Sequence, residues 1–299
     1  MDLSIIIVTI NRKDKVVRGI KSCLNSKLPV KTEFVIVDNG CVDDTETAVK
    51  DVLDKSKYNY HYIRFEENTG ASFARNAGIK KASGEILFFM DDDACIADKN
   101  YDTFFEKGIE VLKNNSKIGS VTTAIWDETL KMYRKTRRGK NFSADYPVIY
   151  EIHGGSCFVR NHILDEYFPN SIKYGYEEIY TSLRILDEGY YNAETEDLLA
   201  YHIPDVTKYI KDGVITKQHY IKTITGRSSV CFLLYPSYLK PFVWIGCILR
   251  WIRFIGFDLK AFKEILNLHH TQCDGVKCKK IKFRTIIKLA KEFGIGITV

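Results

Sequence analysis

"EILFFMDDDAC", residues 85–95, runs five apolar residues straight into three aspartates, Asp91, Asp92 and Asp93. The apolar part has the length and composition of a strand buried on both faces. Carboxylates at the lip of a core are costly when desolvated and unpaired, so a positive partner is expected just beyond the strand's end. Upstream, "SIIIVTI" (4–10), "EFVIVDN" (33–39) and "YHYIRF" (60–65) read as three more strands. Between them Val16, Val17, Ile20 and Leu24, then Val49, Val52 and Leu53, then Ala71, Ala74, Gly78 and Ala82 mark helices. This β-α-β-α alternation predicts an α/β fold with a mostly parallel, doubly wound sheet. Ligands of such sheets bind outside the carboxyl ends of the strands. Those ends carry Thr9-Ile10-Asn11, Asp38-Asn39 and the three aspartates, which are expected to converge on a nucleotide.

A chain of 299 residues is long enough for one large α/β domain or a domain with an appendage. Eight cysteines lie at no framework spacing and no signal-peptide pattern precedes the first strand, so a cytoplasmic protein is expected. Residues 240–299 hold twelve Lys/Arg against four Asp/Glu, so the net charge of +6 comes from the C-terminal fifth. Past residue 115, "GSVTTAIW" (119–126), "GSCFV" (155–159) and "LLAYH" (198–202) read as strands, and the basic stretch 131–140 as an exposed hairpin or loop. "YEEIYTSLRILDEGY" (176–190) is an amphipathic helix with Ile179, Leu183 and Leu186 on one face.

The expected division is a domain over 1–222 and a basic, helical extension over 223–299. The longest unbroken apolar stretch of that extension, "FVWIGCIL" (242–249), is far short of the roughly 20 residues a spanning helix needs. Lys280, Arg284, Lys288 and Lys291 share one helical face and Ile286, Leu289, Ala290 and Phe293 another. That pattern predicts a tail lying peripherally on an anionic membrane surface at its cytoplasmic face, without crossing it. Nucleic acid is not expected as a partner, because the lysines share helices with large apolar faces. "HHTQCDGVKC" (269–278) matches no standard zinc spacing.

Asp91 and Asp93 stand two residues apart, so on an extended chain both point to one side and Asp92 to the other. Such oxygen ligands suit Mg²⁺ or Mn²⁺, which complete their shells with phosphates and water.

"SIIIVTINRKDKVVRGIKSCLNS", "EFVIVDNGCVDDT", "ENTGASFARNAGIKKASGEILFFMDDDA" and "YGYEEIYTSLRILDEGY" together resemble the ordered motifs of the family 2 glycosyltransferases of the GT-A fold, across about residues 3–205. The resemblance implies a metal-dependent, inverting transfer from a nucleotide sugar, usually UDP-linked, to a hydroxyl of a saccharide, wall polymer or lipid-linked glycan. Thr9, Asn11 and Arg12 would line the base and ribose pocket with Asp38 on the base. Asn68, Gly70 and Arg75 would line the diphosphate side. Asp91 would touch ribose or metal-bound water, Asp93 would ligate the metal, and Asp92 is the remaining candidate on the donor side. His202 is a further metal-ligand candidate, and Gly154 and Gly155 would lie against the donor sugar. The family carries Glu-Asp at the head of its acidic helix where this chain has Glu177 and Glu178. The catalytic base is therefore one of these two, with Glu178 favoured and Arg184 a tether for one of them or for substrate. The alternatives are a sugar nucleotidyltransferase, or a non-catalytic nucleotide-binding or scaffold protein on the same fold.

Overall fold

The computed structural model describes residues 1–143, 145–173, 175–204, 210–211 and 214–298. Its first part alternates β1 (Leu3–Thr9), α1 (Lys13–Asn25), β2 (Thr32–Asn39), α2 (Thr45–Asp54), β3 (Asn59–Phe65), α3 (Ala71–Lys81) and β4 (Ile86–Asp91). Strands β1–β4 pair parallel in the order β3-β2-β1-β4. The unbroken apolar runs follow from burial on both faces, since successive side chains point to opposite sides. Ile5, Ile7, Phe34, Ile36 and Phe88 pack with Val16 and Ile20 of α1. Ile6, Val35, Val37, Leu87 and Phe89 pack with Ala74 of α3.

Beyond β4 the sheet becomes mixed. The next elements are β5 (Ala94–Ile96), α4 (Phe104–Asn114), β6 (Ile118–Asp127), β7 (Met132–Tyr133), β8 (Arg138–Ser143), β9 (Tyr146–Ile149) and β10 (Ser156–Arg160). Helix α5 (Glu177–Asp187) and strand β11 (Tyr191–His202) follow. β10 inserts antiparallel between β4 and β6, while β11 runs parallel to β6 and takes β5 antiparallel beyond it. The basic stretch 131–140, expected as an exposed hairpin or loop, supplies β7, which pairs antiparallel with β6, and the start of β8, which pairs antiparallel with β9. Tyr174, which opens the acidic motif, lies outside the described residues.

The C-terminal part forms α6 (Lys217–Leu234), α7 (Lys240–Ile255), α8 (Leu259–Cys273) and α9 (Phe283–Phe293). Helix α6 runs continuously through residues 222 and 223. Its Val230, Leu233 and Leu234 share one core with Ile179, Tyr180 and Leu183 of α5 and Ile281, Ile286 and Leu289 around α9. Asp187, the last residue of α5, accepts from Lys282 N at 2.8 Å and Thr285 Oγ1 at 2.6 Å, tying α9 to the sheet-bearing part. The expectation that the apolar face of α9 lies on a membrane is corrected here. Ile286 and Leu289 are buried against α5 and α6, so that face is spent on packing. Among the described residues, no helix is long and apolar enough to cross a membrane. In the 269–278 stretch, His269 packs against Phe232 and Trp244, and Cys273 and Cys278 are free thiols.

Candidate active site

The parallel register sets the carboxyl ends of β1, β2 and β4 side by side, with Thr9 opposite Asp38 and Val8 opposite Asp91. At the end of β4 the chain turns through Asp92 and Asp93 into β5, whose Ala94 pairs with His202. Asp93 O accepts from Ile203 N at 2.9 Å, which fixes the end of β11 beside this turn. His202 Nε2 thus lies 2.9 Å from Asp93 Oδ1 and 3.8 Å from Asp91 Oδ2. One ligating atom from each of Asp91, Asp93 and His202 falls within 4.8 Å of the others. Two carboxylates and an imidazole at that spacing fit a divalent cation of the Mn²⁺ or Mg²⁺ kind. Burial works to raise Asp93, but the hydrogen bond and charge of His202 hold it below the usual carboxylate range.

Asp92 turns away from this trio. It accepts from Thr9 Oγ1 at 2.9 Å and from Arg12 Nη1 at 2.7 Å, and the same nitrogen reaches Asp93 Oδ2 at 2.9 Å. Arg12 is therefore a positive partner for two of the three aspartates, Asp92 and Asp93. Burial pushes the Asp92 carboxyl up to about 6 even with Arg12 beside it.

Two residues behind His202 had no place in the sequence reading. Arg134 Nη2 lies 2.8 Å from His202 Nδ1, and Asp127 Oδ2 lies 3.8 Å from both nitrogens. Asp127 ends β6, where the short apolar segment Ala124-Ile125-Trp126 closes on a carboxylate. That signal was available. Nothing marked Arg134 among its basic neighbours.

Arg75 of α3 organises the second half of the site. Its guanidinium touches Glu177 Oε1 at 2.8 Å, Asp91 Oδ1 at 3.1 Å and Glu178 Oε1 at 3.4 Å. Burial opposes its charge, yet Glu178, Glu177 and Asp91 outweigh that and raise its pKa. Asp91 is shared between Arg75 and the cation trio. Burial, then the charge of Glu177, pushes Glu178 up to about 8 in spite of Arg75. A carboxyl poised near neutrality suits proton acceptance from an attacking hydroxyl. Gly154 and Gly155 let the backbone approach these carboxylates. A Cβ at 154 would sit 2.6 Å from Glu178 Oε1, and one at 155 would sit 3.0 Å from Asp91 Oδ2. Arg184 does not tether either glutamate. It turns toward Lys279 O and Glu188 instead.

Asp38 is fully buried at the end of β2, accepting from Cys41 N at 2.6 Å and from Tyr62 Oη at 2.8 Å. Asn11, in a left-handed conformation, holds the same turn through Val42 N. Asn68 accepts from Gly70 N at the head of α3. Gly70 has φ +91°, and a Cβ there would meet the Lys173 backbone at 2.8 Å.

The family described as Glycosyl transferase family 2 matches residues 4–168, more than half of the chain. The poly-beta-1,6-N-acetyl-D-glucosamine synthase of Staphylococcus epidermidis is 32% identical over 120 residues, which are 40% of this chain and 27% of that protein. The chain spans 27% to 37% of the length of the first curated relatives it matches. The crystal structure of S. aureus TarS 1–349 in complex with UDP-GlcNAc superposes with a TM-score of 0.62 at 14% identity, over 90% of this chain and 79% of that one. The mannosyltransferase PcManGT from Pyrobaculum calidifontis, in complex with GDP-Man and Mn²⁺, superposes at 0.59 and 16% identity, over 96% of this chain and 78% of that one. At these identities the likeness is one of fold, a mixed central sheet flanked by helices with the C-terminal helices included.

Proposed function

The chain belongs to glycosyl transferase family 2, with the GT-A fold, and from that premise we propose that it is an inverting, metal-dependent glycosyltransferase. The observation that carries this is the joining of the cation trio Asp91–Asp93–His202 to Glu178 through Arg75. The donor is a nucleotide sugar, and the UDP-GlcNAc held by TarS supports a UDP-linked one. The acceptor is a hydroxyl of a saccharide, wall polymer or lipid-linked glycan. Residues 1–222 carry the reaction, and residues 223–299 form an extension that brings it to an anionic membrane surface.

Asp91, Asp93 and His202 would hold Mn²⁺ or Mg²⁺. When bound, such an ion neutralises the donor diphosphate and stabilises it as a leaving group. Glu178 accepts the proton of the acceptor hydroxyl as its oxygen attacks the anomeric carbon, and the bond from that carbon to the diphosphate breaks. Glu177 and Asp91 keep Arg75 in place, and Arg75 in turn aims Glu178. Asp38, Asn11, Thr9 and Arg12 shape the base and ribose end; Asn68 and Gly70 border the diphosphate side with Arg75. Asp92 holds Thr9 and Arg12 in position, and Gly154 and Gly155 leave room for the sugar.

A screen of UDP-, GDP- and other nucleotide sugars for release of the nucleotide diphosphate, with Mn²⁺ and with chelator, tests this. Release that needs Mn²⁺ and is lost in Glu178→Gln is expected. Thermal stabilisation by a nucleotide with no turnover of any sugar would instead favour a binding protein on this fold.

A further inference from the structure

Helix α7 has two faces. Val243, Cys247 and Trp251 are buried, the latter two in a cluster with Ile221 and Ile224 of α6 and Ala261 and Ile265 of α8. Phe242, Ile245 and Leu249, spaced i, i+3 and i+7 on the other face, are 55%, 53% and 61% exposed. The turn into α8 continues the apolar surface, with Phe257 79% and Leu259 74% exposed. Large apolar side chains left exposed along one helix face and at the turn that follows it mark an interaction site.

Charge identifies the occupant. Residues 238–266 carry five Lys/Arg against two Asp/Glu. Both acids are engaged, Asp258 in capping α8 and binding Lys217, Glu264 in accepting from Gln218. Arg253, Lys260 and Lys263 are exposed in this same stretch. In a two-fold dimer the face would meet itself and crowd these cations together, at a cost. An anionic bilayer surface accepts both the apolar side chains and the cations around them.

We propose that the outer face of α7 and the α7–α8 turn dock the protein on an anionic lipid surface. A helix of 16 residues is about 24 Å long and would lie along the interface. The apolar face that serves is the one left outside, since that of α9 is buried.

Flotation of the full chain with vesicles tests the proposal without any sugar donor, so its outcome is separate from that of the transfer reaction. The protein is expected to float with phosphatidylcholine vesicles containing about 30% phosphatidylglycerol, to stay behind with pure phosphatidylcholine, and to detach at high salt. Phe242→Ser with Leu249→Ser is expected to lower the partition coefficient about ten-fold or more. Arg253→Glu with Lys260→Glu is expected to abolish the preference for anionic vesicles. Both pairs are exposed, so circular dichroism should be unchanged. Wild-type protein that ignores anionic vesicles, or variants that bind as well as wild type, overturns the proposal. So does a dimer in solution that Leu249→Ser dissociates, which would give the face to a second copy.

Discussion

Glu178 ties catalysis and stability to pH in opposite directions. Its carboxyl sits near 8 because it is buried and next to Glu177. Between the ordinary carboxylate range and about 8, the folded chain keeps a proton that the unfolded chain has released. The stability from this group is therefore fully present below the ordinary carboxylate range and is lost as pH rises through about 8. Glu178→Gln is expected to raise the melting temperature at pH 8.5, with an advantage that shrinks toward pH 5; calorimetry at several pH values reads this. A variant less stable than wild type at pH 8.5 contradicts it. Turnover should do the reverse, rising with pH along a limb near 8 that Glu178→Gln abolishes. Gly154→Ala separates positioning from folding. Its Cβ would press on the Glu178 carboxylate and the Arg75 guanidinium, both side-chain ends that can shift. At least about a ten-fold loss of turnover is expected, one step of 1.4 kcal/mol in the barrier, with little change in melting temperature. Unchanged turnover would mean that the Glu178–Arg75 contact is not used.

At the scale of elements, the head of α5 depends on α6. Gly226 packs where its Cβ would meet Gly175 O at 2.9 Å and Tyr176 Cβ at 3.3 Å. Tyr176, at φ +69°, is the left-handed residue that turns the chain into Glu177 and Glu178. Backbone cannot yield as a side-chain end can. Gly226→Leu is accordingly expected to cost about 1–3 kcal/mol by overpacking and to lower turnover beyond the unfolded fraction, measured by chemical denaturation alongside kinetics. Wild-type turnover per folded molecule would remove α6 from the account. The sequence disclosed elements where burial imposes a period. β1, β2 and β4 were legible because both faces are covered, and α5 because Ile179, Leu183 and Leu186 recur at helical spacing, although Ser182, Arg184 and Ile185 are buried as well. The pairing partners were not legible, since β10 enters the sheet antiparallel through contacts set by the whole fold. Nor was the direction of α9, because an amphipathic helix shows the same pattern on a core as on a membrane.

For the whole molecule, the same limit separates the site from its setting. Asp91 and Asp93 were nameable as carboxylates closing an apolar strand, whereas Arg75, His202 and Glu178 were named through the resemblance to the family's motifs. Arg134 and the pairing of Arg12 with Asp92 depend on side-chain directions that no spacing encodes. The extension shares a core with α5, so a chain cut after residue 222 would expose Ile179, Tyr180 and Leu183. Such a chain is expected to lose cooperative unfolding, and a sharp thermal transition from it would show that residues 1–222 fold alone. The central claim is that the cation trio and Glu178 form one site with two separable duties. Calorimetric titration of the nucleotide diphosphate with and without Mn²⁺, on wild type, Asp93→Asn and Glu178→Gln, tests it most directly. Wild type and Glu178→Gln should bind alike with Mn²⁺, while Asp93→Asn should lose the Mn²⁺-dependent part of the affinity. Asp93→Asn binding as tightly as wild type, with the same dependence on Mn²⁺, would contradict it.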